Sequence, residues 1–221
     1  MRMDLHVHTH HSAYGGWRYD AIGSPRQVLE RARRVGLDCV AITDHDTVNG
    51  ATEALEIARS MEGIDVIPGI EVSSRDGHVV ALNVTTKIPS GMTAEDTAER
   101  IHERGGLAVA AHPTRSSGVT LDSGVEFDAV EAWNARSSRR ENETAARIAD
   151  ERAIPVIASS DAHHWKDVGR AYTVIEGDDP LSGIVDGPVA LYRGEMSTRA
   201  SARLYASKVI HNVVGPGPRA R

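Results

Sequence analysis

Eight short runs of β-branched and aliphatic residues punctuate this sequence, at 3–8, 38–43, 64–72, 78–84, 107–111, 128–132, 154–159 and 171–175. Helical patterns lie between many of them, which reads as repeated βα units and favours a parallel sheet. Six or more such strands close into a barrel or form an open doubly wound sheet, and periodicity alone does not separate the two. The clearest helix covers about 25–35. There Ser24 can cap, Pro25 takes the first-turn position, Gln27 completes a capping box, Gly36 closes the end, and Val28, Leu29, Ala32 and Val35 form the apolar face. Further helices are expected over 50–61, 93–104 with Thr93 as cap and Gly105 as stop, 138–152 and 198–211. Residues 177–188 (GDDPLSGIVDGP) are rich in turn formers, and the final GPGPRAR reads as a disordered end. One domain over 1–221 is the default for this length.

Composition narrows the function classes. Cys39 is the only cysteine, so an internal disulfide and a Cys-rich zinc module are excluded, and a reducing, cytoplasmic setting fits. No signal-like or membrane-spanning apolar stretch is present, so no membrane partner is expected. A formal charge of −6 argues against a general electrostatic grip on nucleic acid. Aromatic residues make up 4%, with Phe127 the lone phenylalanine, so Val, Ile, Leu and Ala must fill the core.

The 11 histidines are placed unevenly. His6 and His8 lie two apart in DLHVH, where strand geometry puts both imidazoles on one face and Leu5 and Val7 on the other. Asp161 and His163 repeat that spacing after the strand in IPVIASSDAH. His45 follows the strand CVAIT, Glu71 ends VIPGIEV, His78 opens HVVALNV, and His112 ends LAVAAH. In parallel α/β architectures strand exits share one rim, so residues far apart in sequence meet there. His78 begins its run instead, which implies a strand entering the rim from the opposite direction. A single strand-end histidine is more often an ordinary hydrogen-bonded group than a ligand. Eight together differ, because buried imidazoles and acids without a cation would be left unpaired at roughly 1–3 kcal/mol each. An imidazole and carboxylate set suits Zn, Mn or Fe, with Glu71 as a bridge between two cations.

The ordered motifs DLHVHTHHS, AITDHDT, PGIEVS, AAHP and SSDAH, spread over about residues 3–175, resemble the polymerase and histidinol phosphatase (PHP) superfamily. The resemblance implies a distorted seven-stranded (β/α) barrel over a single domain, with residues 176–221 adding a C-terminal helix and flexible tail. It implies two or three divalent metal ions and phosphoesterase activity. Carried over residue by residue, His6, His8, Glu71 and Asp161 would hold one cation, Glu71 and His112 with His78 a second, and His45 and His163 a third. One departure concerns the third ion. The family's full third site has Asp or His two residues after the motif serine, whereas Ser12 is followed by Ala13 and Tyr14. Tyr14 as a phenolate, His10 or His11 as substitutes, Tyr14 as plain packing and a two-ion site all remain open.

For catalysis, Glu71, His112, Asp161 and Arg115 are the candidate residues. Arg115, three residues after His112, can neutralise phosphate charge, and Arg136 and Asn134 are further substrate-binding candidates. Arg139 and Arg140 are candidates of the same kind, but the 136–140 group reads more readily as a solvated helix start, and Asn134 reads equally as a cap. Asp44 or Asp46 could orient the His45 ring. His164 is expected to be exposed, His102 and His211 to lie outside the site, and Cys39 to be a small buried residue. The implied reaction is hydrolysis of a small phosphomonoester, a nucleotide or a short oligonucleotide by metal-activated water. The alternatives are a histidinol-phosphate or sugar-phosphate phosphatase, an amidohydrolase, and a metal-binding accessory module without turnover. Oligomeric state is not legible.

Overall fold

All eight apolar runs form strands in the computed structural model, which describes residues 1–121, 124–187 and 189–214. They are β1 (Arg2–Val7), β2 (Cys39–Ile42), β3 (Asp65–Ser74), β4 (Gly77–Leu82), β5 (Leu107–Ala110), β6 (Ala129–Asn134), β7 (Val156–Ser159) and β8 (Tyr172–Ile175). The helices are α1 (Pro25–Arg34), α2 (Asn49–Ala58), α3 (Ala94–His102), α4 (Arg139–Glu151), α5 (Pro180–Val185) and α6 (Thr198–Val214). Two elements had no expectation behind them, α5 and a ninth strand, β9 (Val189–Tyr192). The turn formers of GDDPLSGIVDGP instead start a helix. Asp179 caps it by accepting from the Leu181 N–H, Pro180 occupies the first turn, and Gly183 lets it pack on Ile175, where a Cβ would come within 2.4 Å of Ile175 Cδ1. The GPGPRAR tail lies outside the described residues.

Local chemistry sets the helix ends. Ser24 and Gln27 form the expected capping box on α1, Thr93 caps α3, and Ser138 with Glu141 forms a second box on α4. Val28, Leu29 and Ala32 are buried as expected, but Val35 is exposed because it is the residue on which α1 ends.

The sheet order is β7-β6-β5-β4-β3-β2-β1-β8-β9. Pairs β1–β2, β2–β3, β5–β6 and β6–β7 are parallel, whereas β4 runs antiparallel to both its neighbours. The expectation of a parallel sheet fails at β4 for a simple reason: only Arg75 and Asp76 separate β3 from β4, too few residues for a crossover. The reversed strand brings its first residues to the rim, as the position of His78 implied. Val7 bridges in parallel to Ala162 just beyond β7, and His8 N–H donates to Ala162 O at 3.0 Å, so β1–β7 close into a distorted barrel. The antiparallel β8–β9 pair extends the sheet from the β1 edge, which raises the strand count from the expected seven to nine.

The outer face of β1 and β2 (Val7, Val40, Ile42) packs on α1 and α2, and that of β3–β6 on α3 and α4. Met3, Leu5, Cys39, Ala41, Val80, Leu82 and Val109 pack on one another inside, with Ile184 of α5 among them. Leu5 and Val7 therefore do not share a face. A register shift between Asp4 and Val7 bulges β1, leaving Leu5 inside with the histidines and Val7 outside. No described helix is long and apolar enough to cross a membrane.

Candidate metal centre

The rim gathers all eight candidates, and none is more than 5% exposed. Glu71 lies at the middle. Its Oε2 is 3.2 Å from Nε2 of both His6 and His8 and 3.1 Å from His45 Nδ1; its Oε1 is 2.9 Å from His78 Nδ1 and 3.1 Å from His112 Nε2. Asp161 Oδ1 adds contacts of 3.4 Å to His8 Nε2 and 3.2 Å to His163 Nδ1. His6 Nε2 and His8 Nε2 are 3.0 Å apart.

This spacing fits shared cations. Two ligand atoms each about 2.1 Å from a common ion, at angles between octahedral and tetrahedral, sit about 3.0–3.4 Å from each other. Glu71 Oε2, His45 Nδ1 and His78 Nδ1 are buried and lack any hydrogen bond of acceptable geometry despite their closeness. Their lone pairs converge on common points instead of on one another. Among the described residues of the rim, three ligand sets are close enough to hold an ion: His6, His8 and Asp161; His45, Glu71 and His78; and His8, His45 and His163.

Charge follows the same logic. Burial would raise the Glu71 carboxyl, but the imidazoles of His45, His6 and His78 hold it well below the usual carboxylate range. Asp161 is likewise held well down, against burial, by Arg136 and His6. Burial pushes His45 well below the normal imidazole range, and burial with Arg136 lowers His163. Ionised acids beside neutral imidazoles are the protonation state that cation binding requires. His6 and His8 run the other way, His6 raised by Glu71, Glu131 and Asp161 and His8 by Asp161 and Glu71, each against the effect of its burial.

Two acids that the sequence reading passed over complete the centre. Asp20 Oδ2 lies 2.7 Å from His163 Nε2 and 3.8 Å from His45 Nε2, while Lys208 of α6 donates to its Oδ1 at 2.5 Å. An acid thus faces the His45–His163 pair, where Ala13 and Tyr14 had left no motif acid. The open alternatives narrow accordingly. The Tyr14 ring stacks on His45 at 4.3 Å, and burial with the Glu71 and Asp20 charges raises its phenol, opposing a phenolate. His11 Nε2 turns instead to Glu53 Oε2 at 2.8 Å, and His10 groups with that pair. Asp20 sits in the polar loop WRYDA with neither an apolar run nor a ligand spacing to mark it.

The second acid is Glu131, within β6 and 1% exposed. Its Oε1 accepts from His6 Nδ1 at 3.2 Å and Ser159 Oγ at 2.5 Å; its Oε2 accepts from His112 N–H at 2.8 Å and Asn134 Nδ2 at 2.9 Å. It fixes the His6 tautomer and the backbone of His112, whose φ of +29° lies in the region non-glycine residues avoid; Asp161 shares that feature at +49°. A carboxylate midway along the apolar run DAVEAWN was a legible signal.

Arg115 Nη1 donates to Asp161 Oδ2 at 2.9 Å, and Arg136 Nη1 reaches Asp161 Oδ1 at 3.4 Å and His163 Nδ1 at 2.6 Å. Arg139 pairs with Glu143 on the surface. Asn134 is fully buried, donates to Glu131 and to Asp161 Oδ2 at 3.1 Å, and accepts from Arg136 N–H, so its amide braces neighbouring site residues, and the cap of α4 is Ser138 instead. Asp44 takes the Thr9 N–H and hydroxyl, and Asp46 takes the Ser73 N–H, so both brace loops and not the His45 ring. His164 is buried, not exposed; its Nδ1 accepts from Lys166 N–H at the start of a short 3₁₀ turn. A cavity of about 80 Å³ opens over the cluster, lined by Tyr14, Asp20, Arg115 and Arg136 among others. It adjoins a cleft of about 590 Å³ between the start of α4 and α6, and Arg115 and Arg136 line both spaces.

Comparison with known proteins agrees with this geometry. The PHP domain family model matches residues 4–105, and the PHP-associated model matches residues 139–186. The uncharacterized protein MJ1587 of Methanocaldococcus jannaschii is 36% identical over 142 residues, covering 61% of this chain and 82% of that protein. A 5′-3′ exoribonuclease of Haemophilus influenzae is 38% identical over 97 residues, 42% of this chain but only 32% of the exoribonuclease. Among solved structures, a two-domain Bacteroides vulgatus protein described as containing a predicted PHP-like metal-dependent phosphoesterase superposes with a TM-score of 0.69 at 19% identity. That match covers 94% of this chain and 69% of the other.

Proposed function

The chain belongs to the PHP superfamily, and from that premise we propose that it is a metal-dependent phosphoester hydrolase acting on a small phosphomonoester, a nucleotide or a short oligonucleotide. One observation carries the reading: five imidazoles lie within 3.2 Å of the two oxygens of the buried Glu71 carboxylate. His6, His8, Glu71 and Asp161 would hold one divalent cation, Glu71, His78 and His112 a second, and His45 and His163 with Asp20 a third. Manganese, zinc and iron all suit this donor set. When bound, such cations supply Lewis acidity and a water of lowered pKa.

The chain's own residues do the rest. Glu131 and Asn134 hold the His6 ring, the His112 backbone and the Asp161 carboxylate in place. Arg115 and Arg136, anchored on Asp161, present guanidinium groups where a phosphate would enter and offset its charge. Tyr14, stacked on His45, walls one side of the cavity and restricts access of bulk water. The exoribonuclease relative, 38% identical over 97 residues, supports a nucleotide-directed substrate.

The test is elemental analysis of the purified protein coupled to a phosphoester panel with added manganese. The expected result is two or three bound ions and hydrolysis that His8→Ala and Asp161→Ala abolish together with bound metal. Full activity in either variant, or metal binding with no turnover on any phosphoester, would remove the reading in favour of an accessory metal-binding module.

A further inference from the structure

We infer that His10, His11 and Glu53 form a further metal site, which takes one zinc-like divalent cation and ties the turn after β1 to α2. Each of the three offers a ligand atom, and these atoms all lie within 4.8 Å of one another. The set shares no residue with the three rim sets, so it stands whatever the rim catalyses. Two imidazoles and one carboxylate suit zinc, cobalt, nickel or copper and not magnesium or calcium, which favour all-oxygen shells.

The chain builds this arrangement in advance. Ser12 N–H donates to Thr9 O at 3.0 Å, which closes a β-turn with His10 and His11 at its two central positions. That turn is pinned at three points. Thr9 gives its N–H and its hydroxyl to Asp44, His10 N–H donates to Gly23 O at 2.8 Å, and His11 N–H donates to Thr9 Oγ1 at 3.3 Å. The adjacent rings consequently lie side by side, 4.4 Å between centres. Glu53 arrives from α2. At Gly50 a Cβ would stand 2.5 Å from Thr9 Oγ1, so glycine lets the helix lie against the turn, and Glu53, one helical turn on, reaches His11 Nε2 at 2.8 Å. An ordinary ion pair would need only His11 and Glu53. The second imidazole in reach of both is what points to a cation, and side-chain exposures of 26% for His11 and 43% for Glu53 leave the ion a path in and room for water in its shell. Ser12 ends the same turn, with its Oγ 3.3 Å from His8 Nδ1 and accepting from His45 N–H at 3.2 Å. A cation that fastens the turn to α2 therefore steadies two rim ligands.

The test is a zinc titration of the purified chain, read by competition with a fluorescent chelator and by ion count after equilibrium dialysis. Wild type is expected to take up one further, weaker ion per chain after the rim is filled. His11→Ala and Glu53→Ala should remove that ion and keep the tighter ones, whereas Glu53→His should retain it, because an imidazole replaces the carboxylate as ligand. Filling the weak site should also slow amide exchange over residues 9–12 in wild type and not in Glu53→Ala. The absence of a weaker ion, or its survival in both alanine variants, overturns the site. So does Glu53→His behaving as Glu53→Ala does, since His11 and Glu53 would then be an ion pair alone. Loss of tight ions in the alanine variants would make the three residues a brace for the rim, and exchange unchanged by zinc would remove the tie to α2.

Discussion

Glu131→Gln isolates the influence of a residue that touches no substrate. The substitution preserves size, but each carboxylate oxygen accepts from two donors, so an amide cannot serve both sides. With the amide nitrogen toward His112 and Asn134, the buried His112 N–H loses its acceptor. With the nitrogen toward His6, the His6 Nδ1 must give up its proton and Nε2 must carry it, which blocks the atom that faces Glu71 and His8. The first orientation strands two buried donors, the His112 N–H and Asn134 Nδ2, at about 1–3 kcal/mol each, so a metal-free variant held that way should lose about 2–6 kcal/mol, whereas the second keeps stability but puts the His6 proton on Nε2. Loss of such support for ligands typically weakens metal affinity by about 10–100-fold. Urea unfolding of metal-free protein and competitive titration with a fluorescent zinc chelator measure the two effects separately. Wild-type stability together with wild-type zinc affinity would refute the idea that Glu131 sets the His6 tautomer.

Three other outcomes follow from the same contacts. Asp20→Asn should lower bound metal by up to one ion per chain while the ions at Glu71 remain, and elemental analysis would show the idea wrong if the count stayed at the wild-type value. Arg115→Met should raise KM for phosphoesters with metal content near normal; metal loss would show that its Asp161 contact is structural. Burial raises the Asp4 carboxyl to about 6. A raised carboxyl contributes stability that is full below the unfolded value of 3.8 and disappears as pH rises through about 6, on the order of 3 kcal/mol. Metal-free wild type should therefore lose about 3 kcal/mol relative to Asp4→Asn between pH 3.5 and 7, and parallel stability curves would contradict the shift.

Sequence exposed most of the strand framework because each strand is a dense aliphatic run, and exposed the main ligands because they end those runs. Where it failed, the determinant was not local. The bulge that separates Leu5 from Val7 arises from pairing with β2, and nothing in DLHVH encodes it. Asp20 reaches the centre on a loop held from both sides: by α6, through Lys208 and paired hydrogen bonds between Asn212 and the Tyr19 backbone at 3.0 Å each, and by the rim, where the Asp20 N–H donates to Ser12 O and the Ile22 N–H to His163 O. The α5 helix was hidden because Asp, Pro and Gly serve a helix start and a close contact as readily as a turn. The contacts of Asn134 with Glu131 and Asp161 are not legible in sequence, because a polar residue at a strand end looks the same whether it meets substrate or braces a neighbouring acid.

The bridge between Val7 and Ala162 sets an order on assembly. During synthesis β1 emerges first, but the segment that completes its hydrogen bonding and supplies Asp161 and His163 appears only after some 150 further residues. Until then the His6–His8 pair has no Asp161 opposite it, and cations at hand in the cell meet a nascent chain with incomplete chelation. Mature metal affinity should therefore be acquired late and all at once, and pulse-labelled ribosome-bound chains shorter than residue 163 should bind zinc far more weakly than the released protein.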